Sequence, residues 1–541
     1  MNPTALLDSE EEPVLLPLPQ GEGIGQAVSP SELFASPPAA EPLLASDQPA
    51  WRTDSLAASI AVLLVLSLVQ RLVGFIRQVL VCRWLEPNQL GEWDIAFRFL
   101  LLAAPVTVLG LPGSFGRYVE HYRRRGHLKT LLRQTTAACV LLCGVALILM
   151  SGLRTAFSEL IYGVPDQTDM VLLLGVSLVA VVAYNFLTEM LTALRMVRVV
   201  SIVQFFNAVA FALLSVGLVF GWRRDAHAIV AAYALSSLLL VVPTLYWFRK
   251  TWRCIPEPTE TLAHRDMWGK LLPFAASVWM MNLLYNLVGV VDRYMIIHYA
   301  PAPDPLTLVG YYHSSQVVPA LMVSMAGLIG GILLPHLSHD WEAGGRAAVA
   351  AKINLALKLL GLTMFAASAL VLLAAPLLFG VMLEGKYAGG QQILPWTLIY
   401  CTWMALVPMA QMYLWCAERA RLPSFALIAG LVVNVLLCRW LLPLYGLPGV
   451  AWATAAANFV GLSLIYLCNR WLGMHVERGT WLVTLLPVLL GFGPLVALAA
   501  VGVVALEIAT GNWLLNRDEK QQIIAVYRHY TAGRLHRNTT P

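Results

Sequence analysis

Charge is scarce in this chain. Lys, Arg, Asp and Glu make up 12% of the 541 residues, about half the share a soluble protein of this size carries. Residues 134–153, 170–188 and 199–222 contain no charged side chain. Uncharged apolar runs of about 18 residues or more cross the hydrocarbon core of a bilayer. They cross as helices, because each backbone N–H and C=O must be satisfied within the segment. A soluble globular fold is thereby excluded.

Other absences narrow the reading further. Residues 1–50 hold no Lys or Arg, and they lack the ordered basic, apolar and small-residue regions of a signal peptide. Their Pro, Glu, Ala and Ser content suits a disordered tail. None of the eight cysteines forms a CxxC pair, so packed or lipid-facing thiols are expected rather than a metal site or disulfides. His336 and His339 beside Asp340 are read as a solvated loop start rather than metal ligands. There is no GxxxxGK[ST] phosphate loop and no catalytic constellation. The chain is therefore expected not to be an enzyme and to use no cofactor and no metal.

What the sequence does contain is a series of spans: 56–81, 94–116, 133–154, 168–194, 199–221, 226–248, 270–297, 308–335, 355–382, 392–416, 423–442 and 448–470. A further apolar segment, 481–508, carries Pro487, Gly491, Gly493 and Pro494 and reads either as one crossing or as a short hairpin. The even-numbered loops hold roughly three times the Lys and Arg of the odd ones, with Arg117, Arg123, Arg124 and Arg125 the densest group. That bias puts the even loops and the N-terminus in the cytoplasm. A single crossing at 481–508 would send the basic C-terminal tail to the opposite side, against the same bias.

The chain repeats itself. Leu72-Val73-Gly74 recurs as Leu287-Val288-Gly289, and Gly91-Glu92-Trp93 is echoed by Gly310-Tyr311-Tyr312. Internal repeats of this kind are a common transporter design, with the substrate path between the repeats. The expected fold is all-α and polytopic, with two six-helix lobes and one or two extra C-terminal helices. The expected divisions are a disordered cytoplasmic tail (1–54), a first lobe (55–250), a cytoplasmic linker (251–267), a second lobe (268–475), an additional membrane helix or hairpin (476–510) and a basic tail (511–541).

Ionisable residues inside spans are costly unless they face a polar cavity or a partner. Arg71 lies about 16 residues, roughly 24 Å of helix, into its span, which is deep for snorkelling. Arg71, Arg77 and Arg98 are read as a cationic cavity for a pyrophosphate, because the guanidinium fork matches phosphate oxygens. The competing reading is snorkelling, or an ion pair such as Arg77 with Glu189. Asp292 and Arg293, with Glu189, are read as a gate or ion pair, and Lys358 as a snorkelled interface residue.

Residues 70–96, through Arg71, Gly74, Phe75, Arg77, Leu85, Gly91 and Trp93, resemble the opening signature of polysaccharide-type members of the multidrug/oligosaccharidyl-lipid/polysaccharide exporter superfamily. Residues 110–122, 292–296, 309–319, 333–338 and 446–461 are similar to later motifs of the same family, in order. The resemblance implies a V-shaped pair of lobes with alternating access in the cell inner membrane. It also implies export of a polyprenyl-diphosphate-linked glycan such as an O-antigen precursor, with arginines matching Arg71 and Arg77 lining the cavity. Membrane lipid and a glycan polymerase or glycosyltransferases are the implied partners, with no nucleic acid. The alternatives are a drug/cation antiporter of the same superfamily and a non-transporting scaffold of a glycan-assembly complex.

Overall fold

The computed structural model describes residues 56–257, 264–419 and 421–525. The expectations for the tail at 1–54, the middle of the linker and the residues after 525 lie outside them. A first unit ends at Ala58, and only the opening turn of a helix is described in it; everything below concerns the second unit, from Ser59 on.

In chain order the helices are α1 (Leu56–Trp84), α2 (Pro87–Thr107), α3 (Phe115–Arg124), α4 (Leu128–Gly152), α5 (Arg154–Tyr162), α6 (Thr168–Ala193), α7 (Val197–Gly221) and α8 (Ala226–Cys254). They continue with α9 (His264–Tyr299), α10 (Pro305–Glu342), α11 (Arg346–Leu377), α12 (Ala388–Cys416), α13 (Arg421–Tyr445), α14 (Leu447–Trp471), α15 (Arg478–Leu485) and α16 (Pro494–Thr510). Among the described residues eleven helices are long and apolar enough to cross a membrane, or twelve when α2 and the segment after it count as one bent span. The fold is thus all-helical and multi-spanning, as the charge-free runs require.

The bent span has a local cause. Leu109 and Gly110 both adopt left-handed backbone angles, with φ of 49° and 68°, which ends α2. A short 3-10 turn (Leu111–Ser114) follows, and the chain leaves at 62°. Gly110 is required there, because a Cβ would collide with Trp279 and the Ala275 carbonyl of α9.

Two lobes of six spans are built from α1–α8 and α9–α14. In the first, α6 and α8 form the centre, with α2, α4 and α7 against them; in the second, α12 packs on α10, α11 and α14, and α13 on α14 and α9. The lobes meet chiefly where α2 crosses α10. A Cβ on Gly91 would overlap the Leu306 carbonyl, and one on Gly310 would overlap the Pro87 carbonyl. The two glycines that the sequence repeat aligns therefore face each other reciprocally, each making room for the other helix's first turn. Small residues at such crossings let backbones come into contact without a hydrophobic driving force.

The segment at 481–508 is not one crossing. Gly493, with φ of 102°, separates a helix that runs from Arg478 through a 3-10 stretch to Phe492 from α16. The chain then returns to its starting level: a Cβ on Gly479, at the start of α15, would touch the backbone carbonyls of Trp513 and Leu514, just beyond α16. It is a hairpin, anchored by Trp403 Nε1 donating to the Thr484 carbonyl at 2.7 Å. Its two ends lie on one side, so the basic tail leaves on the side where α15 begins. That removes the conflict with the loop charges.

Lys358 is not a snorkelled residue. It is 1% exposed and its ammonium donates to Glu519 at 2.9 Å and to Glu477. Asn516 Nδ2 joins Glu477 from the tail side at 3.4 Å. A buried ammonium needs such partners, and these lie far along the chain, where helix periodicity gives no hint of them.

Candidate functional site

The basic residues inside the spans fall into two groups with opposite electrostatics. The first group is on α1. Arg71 is half-buried, and its Nε is buried without a hydrogen-bond partner among the described residues. Arg77 lies with its guanidinium carbon 3.9 Å from the centroid of Phe211 on α7. Phe211 in turn packs with Tyr233 and Trp93, at ring-centroid distances of 5.1 and 5.9 Å. Aromatic faces attract a cation but do not neutralise it. Among the described residues neither arginine makes an ion pair with a carboxylate. Glu189, the partner considered for Arg77, is exposed in the last turn of α6 and does not pair with it.

The second group surrounds Asp94, which is fully buried on α2. Arg293 Nε of α9 donates to its Oδ2 at 2.8 Å. His313 Nδ1 of α10 lies 2.7 Å from its Oδ1, and Arg98 Nε, one turn along α2, lies 3.6 Å from the same oxygen. Gln78 of α1 contacts the other nitrogen of His313. Arg293 also reaches the Gly289 carbonyl and Gln316, whose Nε2 donates to the Tyr400 hydroxyl of α12 at 2.6 Å. One carboxylate thus draws in two guanidinium groups and an imidazole from three helices, and the network ties the lobes together.

This cluster follows the repeat. Asp94 and His313 each stand three residues past the paired glycines Gly91 and Gly310, and Gln78 and Arg293 each stand four past Gly74 and Gly289. Gln78 of the first lobe contacts His313 of the second, while Arg293 of the second binds Asp94 of the first. The contacts cross over as a two-fold relation demands, with unlike residues at equivalent places.

Two sequence expectations change here. Arg293 forms a buried ion pair, but with Asp94 and not with its neighbour Asp292. Consecutive residues on a helix project about 100° apart, so the two side chains enter different surroundings. Asp292 turns into the second lobe, where it accepts from Tyr312 Oη at 2.6 Å, Asn434 Nδ2 at 3.0 Å and Thr454 Oγ1 at 3.0 Å. No basic side chain is within ion-pair distance of it among the described residues. Arg98 belongs to the Asp94 cluster, apart from Arg71 and Arg77. Asp94 itself escaped the sequence reading because the second span was started at that residue. α2 begins at Pro87, which puts Asp94 two turns inside; Glu86-Pro87, a capping residue followed by proline, is the available signal for that earlier start.

The fold is that of a multi-span, all-helical membrane protein with buried charges inside its spans. Among solved structures the chain is similar to the lipid II flippase MurJ in an inward closed conformation, with a TM-score of 0.63 and 13% identity, covering 83% of this chain and 100% of that one. It is also similar to an inward-facing multidrug resistance MATE family transporter, with a TM-score of 0.57 and 12% identity, covering 74% of this chain and 94% of that one. A curated relative, the uncharacterized membrane protein YabM of Bacillus subtilis (strain 168), is 24% identical over 430 residues, 74% of this chain and 79% of the relative. The chain belongs to the polysaccharide biosynthesis protein family, whose sequence profile matches residues 56–340.

Proposed function

We propose that this protein is a flippase that carries a lipid-linked oligosaccharide or polysaccharide precursor across the plasma membrane by alternating access between its two lobes. The observation that carries the reading is the pair Arg71 and Arg77, two guanidinium groups inside an apolar span with no carboxylate to compensate them among the described residues. Uncompensated charge at membrane depth is retained where an opposite charge arrives, and a diphosphate headgroup supplies it in the geometry that arginine binds best. Arg98, within ion-pair distance of Asp94, stands at the edge of that path, in the contact that closes the lobes. Membership of a polysaccharide biosynthesis family supports the substrate class, and the likeness to a flippase fold supports the mechanism.

In this reading residues 55–250 and 268–475 are the moving bodies and 251–267 links them in the cytoplasm. Residues 1–54 and 511–541 are cytoplasmic tails, on the side marked by the basic loops. Asp94, Arg293, His313 and Gln78 then form the contact that holds the outer end shut and must part for release. A glycan polymerase or glycosyltransferases would act on the same lipid-linked precursor.

One observation favours a second reading, a drug/cation antiporter. Among the described residues Asp292 is buried and held by neutral donors alone, and an intramembrane carboxylate of this kind is where such an exchanger takes its cation. Reconstitution separates the two. Purified protein in liposomes is given a fluorescent polyprenyl-diphosphate oligosaccharide, and its appearance in the opposite leaflet is followed. Wild type moves it, and Arg71→Gln with Arg77→Gln loses that movement at normal protein yield. Movement that survives the double substitution, or strong efflux of organic cations by wild type, overturns the flippase reading.

A further inference from the structure

The outer face of α7 and α8 carries a groove of about 770 Å³. Val199, Ile202, Phe206 and Leu213 line it from α7, and Val242 and Trp247 from α8. Its exposed polar surface is negligible, and several walls are open to the membrane: Phe206 is 56% exposed, Leu213 68% and Val242 68%. One end is different. Trp247 sits there with the Lys250 ammonium 5.5 Å from its ring, and Arg249 follows on the same turn. The groove is a dry slot with an aromatic and basic mouth.

We infer that this groove holds the isoprenoid chain of a polyprenyl diphosphate. The inference rests on the flippase reading and extends it to a second site on the same lobe. Length selects the occupant. From Val199 to Leu213 α7 rises about 21 Å, whereas one leaflet contributes only about 15 Å of hydrocarbon. An ordinary acyl chain anchored at the mouth ends near the midplane and leaves the far end unfilled; a polyprenyl chain continues past it. Charge selects the same class: a phosphate at the mouth meets Lys250 and Arg249, and Trp is suited to the interface where such a headgroup sits. The groove lies on the opposite face of α7 from Phe211 and Arg77, so the chain is held outside the lobe while the arginines stay free for the diphosphate during transfer.

Binding of undecaprenyl diphosphate and of farnesyl diphosphate to the full-length protein in nanodiscs tests this. Leu213→Trp fills the far end of the groove from a lipid-exposed position. The expected result is about tenfold weaker binding of the long chain and unchanged binding of the short one. Phe206→Ala, which removes bulk instead of adding it, weakens the long chain in the same direction. Leu436→Trp, at a lipid-exposed position on α13, changes neither. Equal loss for both lengths, no loss for the long chain, or displacement of undecaprenyl diphosphate by an equal amount of phosphatidylglycerol overturns the groove alone. A wild-type protein that binds neither diphosphate overturns the flippase reading and the groove with it.

Discussion

The two groups of intramembrane arginine make a natural comparison. Arg293 and Arg98 share one carboxylate, Asp94, with supporting bonds from a glutamine and a backbone carbonyl. Arg77 has an aromatic face, the Arg71 Nε has no hydrogen-bond partner, and neither pairs with an acid among the described residues. Compensated charge in a low-dielectric interior is a structural device; it ties helices together and is destructive to break. Uncompensated charge contributes little to holding the fold and is poised for something that comes and goes. Stability and transport should therefore separate between the two groups.

The strongest way to break that contrast is Asp94→Asn. It leaves Arg293 buried without its carboxylate, and the expected cost is about 3–5 kcal/mol, read as earlier reaction of a thiol-reactive dye with the buried Cys82, Cys401 and Cys438 on heating in detergent. A protein that melts normally would show that Asp94 is not what neutralises Arg293. Next comes Gly91→Leu at the α2–α10 crossing, where overpacking costs about 1–3 kcal/mol by the same assay; Gly310→Leu should match it, since the two contacts are reciprocal. Arg71→Gln and Arg77→Gln should each change stability by less than about 1 kcal/mol while removing glycolipid movement. If either melts like the Asp94 variant, the contrast collapses.

The smallest effect concerns a third kind of ion pair, at the surface. Arg83 donates to Glu384 at 2.9 Å, and that hydrogen bond holds the Glu384 carboxyl below its usual value. A lowered carboxyl contributes stability above the unfolded value, and the contribution is lost as pH falls through the folded one. Both partners are solvated, so Glu384→Gln should leave melting at pH 7 unchanged within error, and any difference from wild type should vanish further in acid. A large shift at pH 7 would mean that this end of the lobes is held from the surface and not from Asp94.

Much of the architecture could be read from residue order. Charge-free runs located the spans, Gly91 and Gly310 marked the repeat, and motif order pointed to the family, because each of these is local or periodic. The site was legible in part. Arg71 and Arg77 stood out as charges in apolar runs, but the depth of a residue says nothing about what faces it. A second span begun at residue 94 leaves Asp94 at its edge, whereas α2 begins earlier, at Pro87; and the adjacency of Asp292 and Arg293 in sequence is not adjacency in space.

Sequence alone determined that this chain must be a bundle of membrane helices built from a duplicated unit, since backbone hydrogen bonding in lipid leaves apolar runs no other choice. Tertiary structure alone decided which arginines are neutralised, that Lys358 clasps Glu477 and Glu519, and that the last apolar segment turns back at Gly493. Those outcomes depend on pairings between residues far apart in the chain, and the energy of a buried charge is set by its neighbours in space.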